Sequence, residues 1–228
     1  AALSDPDQVV AVSQGIRRVL LGAGVPGDRV SQVYSAVDAS AYQSPLSRAG
    51  ARARLGLAGD AEVVTVVAQL IPRKGHRFLI DAVPTLLARH PRLQVLFVGD
   101  GELRDALAAE VGRRGLGEVV RLLGHREDVA DILRASDLLA HPATMEGFAN
   151  VAMQAMAAGI PVVSSAVGGM PESVRDGENG LLVPPGDPGA LADAIGRLLA
   201  DPALRRRLGQ RGREIVESEF TVDAMVRG

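Results

Sequence analysis

The chain has no cysteine among its 228 residues, which excludes disulfide bonds, thiolate zinc sites and a cysteine nucleophile. It also has no apolar run of about 18 residues that could span a bilayer, and no signal peptide is visible. Its four histidines show no metal-ligand spacing, so we expect no metal site. These absences fit a reducing compartment, and we expect a cytoplasmic protein.

The chain also has no large excess of positive or negative charge. The formal net charge is −2 and the basic residues are scattered, which argues against a protein that binds nucleic acid by neutralising phosphates. The apolar content of 47% gives room for one large α/β domain, or one and a half, with a proper core. We therefore expect small-molecule partners and no nucleic acid.

Strand and helix patterns alternate with short loops from Glu62 onward. This alternation predicts an α/β fold with a Rossmann-like, doubly wound parallel sheet. Ligands of such sheets bind outside the carboxyl ends of the strands, and every candidate site below follows a strand. The predicted strands are 63–70, 93–98, 119–123, 137–141 and 160–163, and the predicted helices are 75–89, 102–113, 128–135, 188–200 and 202–218, with a short helix near Glu172.

The first forty residues follow a different pattern. A strand at 9–13 leads into a helix that Ser13 caps. The stretch 22–27 fits Gly-x-Gly-x-x-Gly, but it follows a helix and contains Pro26, so it predicts a helix end and a turn instead of a dinucleotide site. A short strand within 28–38 and a polar connection follow, with one basic helix at 46–55.

The stretch 144–163 is the organising feature of the chain. Glu146 and Gly147 open an Ala/Met-rich helix pattern that Gly159 closes, and a buried strand follows. The free N–H groups and the dipole at a helix start favour a phosphate, while Glu146 could accept hydrogen bonds from hydroxyl groups. Gln154 would lie about 12 Å further along such a helix. The residues alone equally allow a dipole-complementing Glu146 and a solvated Gln154.

The same stretch resembles the glutamate-x7-glutamate signature of retaining glycosyltransferases with the two-domain GT-B fold, glycosyltransferase family 4 (group 1). Glu146 matches the first glutamate, and Gln154 stands where the second belongs. A glutamine can still bind ribose hydroxyl groups, but without the charge that strengthens such bonds. The resemblance covers nearly the whole chain and implies the C-terminal, donor-binding half of a GT-B enzyme.

A basic loop at 69–75 follows the first strand of the alternating region. Lysine beside glycine at a strand end suits a diphosphate, although a solvated basic loop is the alternative. The family carries Arg-Leu-x-x-x-Lys-Gly here, with both charges on the donor diphosphate. Lys74 matches the lysine, Gln69 replaces the arginine, and Arg73 is a candidate substitute.

Two further loops resemble parts of the family's donor cleft. Gly99, within 97–102, matches its Val-Gly-x-Gly segment, although turn geometry alone also explains the glycines. Arg126, within 123–128, stands in a loop whose backbone reads the nucleobase in the family. His125 and His141 are interpreted as structural. The segments 167–172 and 180–187 resemble the family's pocket-closing turn and the strand after it.

The resemblance implies transfer of a sugar from a nucleotide-sugar donor with retention of anomeric configuration. It assigns catalytic roles to Glu146 and Lys74, and it implies no cofactor, because a UDP- or GDP-linked donor is a substrate. An acceptor, either a saccharide or a lipid, would bind to a missing N-terminal domain, and peripheral membrane association of the full-length enzyme is left open. The implied donor-binding residues are Gln69, Arg73, Gly99, Arg126, Gly147, Phe148, Ala149, Asn150 and Gln154.

Residues 1–42 are interpreted as the tail of the acceptor domain with the hinge, and residues 43–228 as the donor-binding domain. The chain does not begin with methionine, and we expect the missing half on a longer parent chain. Two alternatives stay open. A non-catalytic nucleotide-sugar-binding module is the stronger one, because Gln69 and Gln154 replace charged residues. A Rossmann oxidoreductase is the weaker one, because no Gly-x-Gly-x-x-Gly follows a strand.

Overall fold

A parallel β-sheet forms the centre of the protein in the computed structural model, which describes residues 8–227. The strands are β1 Val9–Ala11, β2 Val30–Gln32, β3 Glu62–Val67, β4 Leu93–Val98, β5 Val120–Gly124, β6 Leu138–His141, β7 Val162–Ser165 and β8 Gly180–Val183. The helices are α1 Gln14–Gly22, α2 Arg48–Arg54, α3 His76–Leu87, α4 Arg104–Arg113, α5 Val129–Ala135, α6 Asn150–Ala157, α7 Met170–Ser173, α8 Pro188–Ala200, α9 Pro202–Glu219 and α10 Val222–Arg227.

Six strands form one sheet in the order β5-β4-β3-β6-β7-β8, and all neighbours are parallel. The chain first builds outward from β3 to β5 and then returns to the other side of β3 to place β6. The strand order therefore reverses between β3 and β6, which opens a crevice at their carboxyl ends. This topology confirms the predicted Rossmann-like, doubly wound sheet.

Apolar side chains cover the sheet on both faces. One core cluster joins the sheet to α3, α4 and α8, and a second joins it to α6 and α9. A third, smaller cluster lies under α2 and α5. The strands are nearly continuous apolar runs because both faces are buried, which is why alternation along each strand is weak. No helix within residues 8–227 combines the length and the apolar character needed to cross a membrane.

Residues 8–40 contain a small sheet of their own, in which β1 and β2 pair in parallel. The Ser13 hydroxyl accepts a hydrogen bond from the backbone N–H of Ile16, which confirms the predicted helix cap. Helix α1 ends at Gly22 and is followed by a turn, as predicted. Residues 1–7 lie outside the described part of the chain, and the domain boundary at residue 42 stays a prediction.

Glu172 ties this small sheet to the rest of the protein. Its carboxylate accepts hydrogen bonds from the backbone N–H groups of Gln14 and Gly15, at 2.8 and 2.7 Å, and from the Tyr34 hydroxyl at 3.0 Å. A carboxylate on the first N–H groups of a helix also complements the helix dipole. Glu172 thus caps the start of α1 together with Ser13, although it lies 158 and 157 positions after the two residues whose N–H groups it binds.

Asp137 organises the opposite, amino end of the central strands. It is 6% exposed and contacts three guanidinium groups, those of Arg48 at 2.7 Å, Arg52 at 3.0 Å and Arg205 at 3.2 Å. Its carboxylate also accepts the backbone N–H of Val63 in β3 at 2.9 Å. One buried acid, the residue before β6, thereby joins α2, α9 and β3.

Candidate active site

Glu146 lies in the loop between β6 and α6, and two side chains converge on one of its oxygens. Lys74 Nζ is 2.5 Å and His141 Nε2 is 3.0 Å from Glu146 Oε2. The other oxygen, Oε1, accepts the backbone N–H of Gly147 at 3.2 Å. An ionised carboxylate only accepts hydrogen bonds, so His141 donates through Nε2–H. The predicted catalytic residues Lys74 and Glu146 are therefore brought into direct contact.

The pKa of Glu146 falls to about 2 in this environment. Burial raises the pKa, but the hydrogen bonds from His141 and Lys74 and the positive charge of Lys74 outweigh it. Glu146 is consequently a carboxylate over the whole physiological range. It can accept hydrogen bonds from sugar hydroxyl groups and cannot act as a general acid.

Lys74 is the only lysine in the chain. Apart from the four histidines, every other basic residue is an arginine. A lysine ammonium is a compact point charge with three rotatable donors, whereas a guanidinium is a planar fork. The side chain of Lys74 is 14% exposed and sits beside the crevice between β3 and β6. The only lysine of the chain is thus the residue that contacts Glu146.

His141, interpreted from sequence as structural, contacts Glu146, and the sequence analysis did not predict this contact. It is the last residue of β6, 1% exposed, and its ring donates a hydrogen bond to Glu146. The signal was available in its position, because the final residue of a central parallel strand points toward the ligand edge of the sheet.

The backbone locks the Lys74 loop against the Glu146 loop. Gly75 has φ of +72°, and a Cβ at this position would lie 1.9 Å from the Pro142 carbonyl oxygen. The N–H of Thr144 donates to the Arg73 carbonyl at 2.8 Å. Only glycine permits both the left-handed conformation and this approach. The main chain therefore fixes the spacing of the two loops that carry Lys74 and Glu146.

The helix that was predicted to open at Glu146 begins only at Asn150, and this prediction was wrong. The Gly147 carbonyl accepts hydrogen bonds from the Ser13 hydroxyl and the Gly169 N–H, both at 3.0 Å, so it cannot join a helical ladder. The N–H groups of residues 147–149 belong to a loop. The predicted 12 Å spacing to Gln154 assumed a continuous helix from Glu146, and the helix begins only four residues later.

The remaining predicted residues of this stretch differ in exposure. Phe148 and Ala149 are buried, and the Phe148 ring packs on Tyr34 and Phe220 with centroid distances of 5.4 and 5.6 Å. Asn150 is exposed at the start of α6, and Gln154 is half-buried one turn later. Phe148 can therefore present only its backbone to a ligand.

Gln69, Gly99 and Arg126 line one cavity of about 440 Å³, together with Asp100 and His125. They follow β3, β4 and β5, whose carboxyl ends meet at the same edge of the sheet. Arg126 is held by a two-pronged ion pair with Asp128, at 2.7 and 2.6 Å, which raises the pKa of the arginine. The cavity has the size of a small-molecule site.

Gly99 lines this cavity, and the backbone geometry also explains why position 99 is a glycine. Its φ is +138°, and a Cβ there would lie 2.0 Å from the Ala68 carbonyl oxygen. The close approach of the β3 and β4 ends accordingly requires glycine. Arg73, in contrast, lines a separate cavity on the α3 side of the sheet with His76 and Phe78. The structure thus brings Arg73 together with a different set of residues from Gln69.

Comparison with known proteins gives a match to the family model described as "Glycosyl transferases group 1" over residues 47–215. The chain is 40% identical over 194 residues to a D-inositol 3-phosphate glycosyltransferase of Corynebacterium efficiens, covering 80% of this chain and 46% of that protein. It is 38% identical over 174 residues to the lipopolysaccharide core biosynthesis glycosyltransferase LpsE of Rhizobium meliloti, covering 76% and 50%. The chain spans about half the length of these relatives.

Solved structures agree on the fold. HepE of Anabaena, solved with UDP, superposes with a TM-score of 0.90 at 31% identity, covering 97% of this chain and 62% of HepE. HepE has also been solved with UDP-glucose. These matches confirm the expected GT-B architecture. By its sequence, its strand order and its similarity to these enzymes, the chain belongs to the group 1 glycosyltransferases.

Proposed function

We propose that this chain is the donor-binding half of a retaining glycosyltransferase that uses a UDP-linked sugar. The observation that carries the proposal is the Lys74–Glu146 contact at the reversal of strand order, beside the cavity formed by Gln69, Gly99 and Arg126. UDP is favoured over GDP because the similar HepE was solved with UDP and UDP-glucose. Retention rests on the resemblance of the Glu146 stretch to retaining enzymes.

In the proposed reaction, the bond between the anomeric carbon and the diphosphate oxygen breaks, and UDP leaves with the bonding electrons. The acceptor hydroxyl oxygen forms the new bond to the anomeric carbon on the same face, and its proton goes to the departing diphosphate. Negative charge grows on the leaving oxygen, where the Lys74 ammonium stabilises it without reorganisation. Glu146, ionised at neutral pH, accepts hydrogen bonds from the sugar hydroxyl groups and holds the ring while positive charge develops on it. No metal or cofactor is part of this proposal.

The acceptor, a saccharide or a lipid, would bind to the other half of a longer protein, which in the family also supplies a catalytic histidine. For the whole protein we propose a cytoplasmic enzyme. The expected behaviour of this chain alone is donor binding with little or no transfer, since the acceptor residues lie elsewhere. The tests below accordingly measure binding rather than turnover.

Calorimetric titration with UDP, GDP and ADP, without divalent metal, tests the proposal. We expect saturable binding of UDP, and Lys74→Ala should weaken it about tenfold to a hundredfold, because a charge-assisted hydrogen bond contributes roughly 1.5–3 kcal/mol. Arg206→Gln, which removes an exposed cation from α9, is the matched control and should leave the affinity unchanged. Binding of none of the three nucleotides, or equal affinity of the Lys74 variant, contradicts the proposal.

The single lysine allows a direct readout of the same event. Reductive ¹³C-methylation labels Lys74 as the only side-chain amine of the chain. UDP should shift this one signal as the diphosphate replaces Glu146 beside the ammonium. An unchanged Lys74 signal at saturating UDP would place the nucleotide elsewhere.

A non-catalytic binding module is the second candidate, favoured by the glutamines at 69 and 154. The double variant Gln69→Arg/Gln154→Glu separates the two. If the site is a working enzyme site, the amide of Gln154 already meets the ribose hydroxyl groups, and UDP affinity should change less than about threefold. Tightening of about tenfold or more would show a site that has lost its charged contacts, and would favour the module.

A further inference from the structure

A second cavity, of about 550 Å³, lies between the starts of α3 and α4. We call it the α3–α4 cavity. Its apolar wall consists of Phe78, Leu103 and Leu107, and two arginines, Arg73 and Arg77, stand at its exposed rim. Its volume falls within the range of small-molecule sites.

His76 is the unexplained residue of this cavity. It is 1% exposed, and neither of its ring nitrogens has a hydrogen-bond partner within residues 8–227. Its ring meets Phe97 edge-on at a centroid distance of 5.0 Å. Buried polar side chains are nearly always hydrogen-bonded, and an unsatisfied one is costly. A buried imidazole with a free donor and a free acceptor on the lining of a cavity therefore points to a ligand.

The rim of the α3–α4 cavity carries positive charge. Arg77 lies over the Phe78 ring, 4.6 Å from its centroid, so its guanidinium is held at the mouth of the cavity by a cation–π contact. Arg73 stands on the neighbouring turn, Pro72–Lys74. A planar guanidinium suits a phosphate or a carboxylate, to which it can donate two parallel hydrogen bonds.

We propose that the α3–α4 cavity binds a small anionic amphiphile. Its phosphate or carboxylate group binds at Arg77 and Arg73, its apolar body packs against Phe78, Leu103 and Leu107, and His76 supplies the buried hydrogen bond. The cavity is separate from the one that Gln69, Gly99 and Arg126 line. The two cavities share no lining residue. The inference does not depend on the proposed donor.

NMR titration of the whole chain with phenyl phosphate tests this site. The four histidines give few ring signals, and the signal absent from His76→Phe identifies His76. We expect saturable shifts of that signal with a dissociation constant of about 1 mM or below, the range of fragment-sized ligands. Inorganic phosphate should bind more weakly because it lacks the apolar body. Equal binding of inorganic phosphate, or no shift of His76, overturns the proposal.

The variant Arg77→Gln should weaken phenyl phosphate at least fivefold, whereas Arg206→Gln should not. Both arginines are exposed, so both variants are expected to fold, and unchanged UDP binding by both confirms it. Saturating UDP should leave phenyl phosphate binding intact. Displacement by UDP, or wild-type affinity in Arg77→Gln, would assign the signal to the donor cleft or to non-specific binding and would overturn the proposal.

A comparison of vesicles identifies the source of the anionic group. Sedimentation with vesicles that contain phosphatidic acid, but not with phosphatidylcholine vesicles, and loss of this binding in Arg77→Gln would assign the cavity to a lipid headgroup. Phenyl phosphate binding without sedimentation would assign it to a free small molecule. Failure of UDP binding would leave either result standing, because Lys74 and Glu146 are not part of this site.

Discussion

Replacing Asp137 with alanine should lower the free energy of unfolding by about 3–5 kcal/mol, the range seen when one partner is removed from a buried ion pair. Three guanidinium groups would lose their shared carboxylate, and one of them, that of Arg52, is itself only 6% exposed. Burial already lowers the pKa of Arg52 below its usual value, and Asp137 is what opposes this shift. Urea denaturation followed by far-UV circular dichroism measures the loss.

A matched exposed acid separates this effect from the loss of any carboxylate. Asp193 pairs with Arg89 on the surface, with side chains that are 75% and 51% exposed. Such pairs contribute little, so Asp193→Ala should leave the denaturation midpoint nearly unchanged. A loss below about 1 kcal/mol in Asp137→Ala would mean that the arginines find water or other acceptors instead.

Acidification from pH 6.5 to pH 4 should lower the stability of the protein by about 3 kcal/mol through His76 alone. Burial, followed by the charges of His141 and Lys74, lowers the His76 pKa from 6.5 to about 4. Between these values the unfolded chain binds a proton that the folded chain does not, so stability falls as the pH falls and levels off below pH 4. The size follows from 1.36 kcal/mol for each unit of difference, hence about 3 kcal/mol.

The variant His76→Phe should abolish this slope, while His125→Gln, at an exposed loop position, should keep it. Denaturation series at pH 7, 6, 5 and 4 give the comparison. Glu146, with a pKa of about 2, loses its stabilisation between pH 4.5 and 2 in the wild type and in His76→Phe alike, so its contribution cancels when the two are compared. Parallel pH dependence of the wild type and His76→Phe would show that the His76 ring is hydrated.

Most of the fold could be predicted because both faces of the sheet are buried and each crossover carries a helix of its own. Strand β4, Leu93–Val98, and helix α8, Pro188–Ala200, were predicted with the observed bounds. The start of α6 could not be predicted. Helix α6 begins late because the Ser13 hydroxyl donates a hydrogen bond to the Gly147 carbonyl, and these two residues are 134 positions apart. A periodicity in the local sequence carries no information about such a contact.

The candidate site was predictable in its outline for a similar reason. The carboxyl ends of parallel strands lie at the same edge of the sheet, so Gln69, Gly99 and Arg126 had to lie near each other. All three line one cavity in the structure. What the sequence could not show is the direction in which each side chain points. Arg73 precedes Lys74, yet it lines the α3–α4 cavity, while Lys74 contacts Glu146. Adjacent residues of a tight turn point to different sides, and no motif reports which.

The interlocked backbone of the Lys74 and Glu146 loops has a consequence for engineering by loop exchange. The segment 72–75 fits its place only while the Pro142 and Thr144 backbone stays where it is, because a carbonyl oxygen fills the space where Gly75 would carry a side chain. Moving segment 72–75 into a relative without segment 142–146 would transfer the lysine but not its distance to the acid. For chimeras within the family, the two loops are one transplantable unit, although 66 residues separate them along the chain.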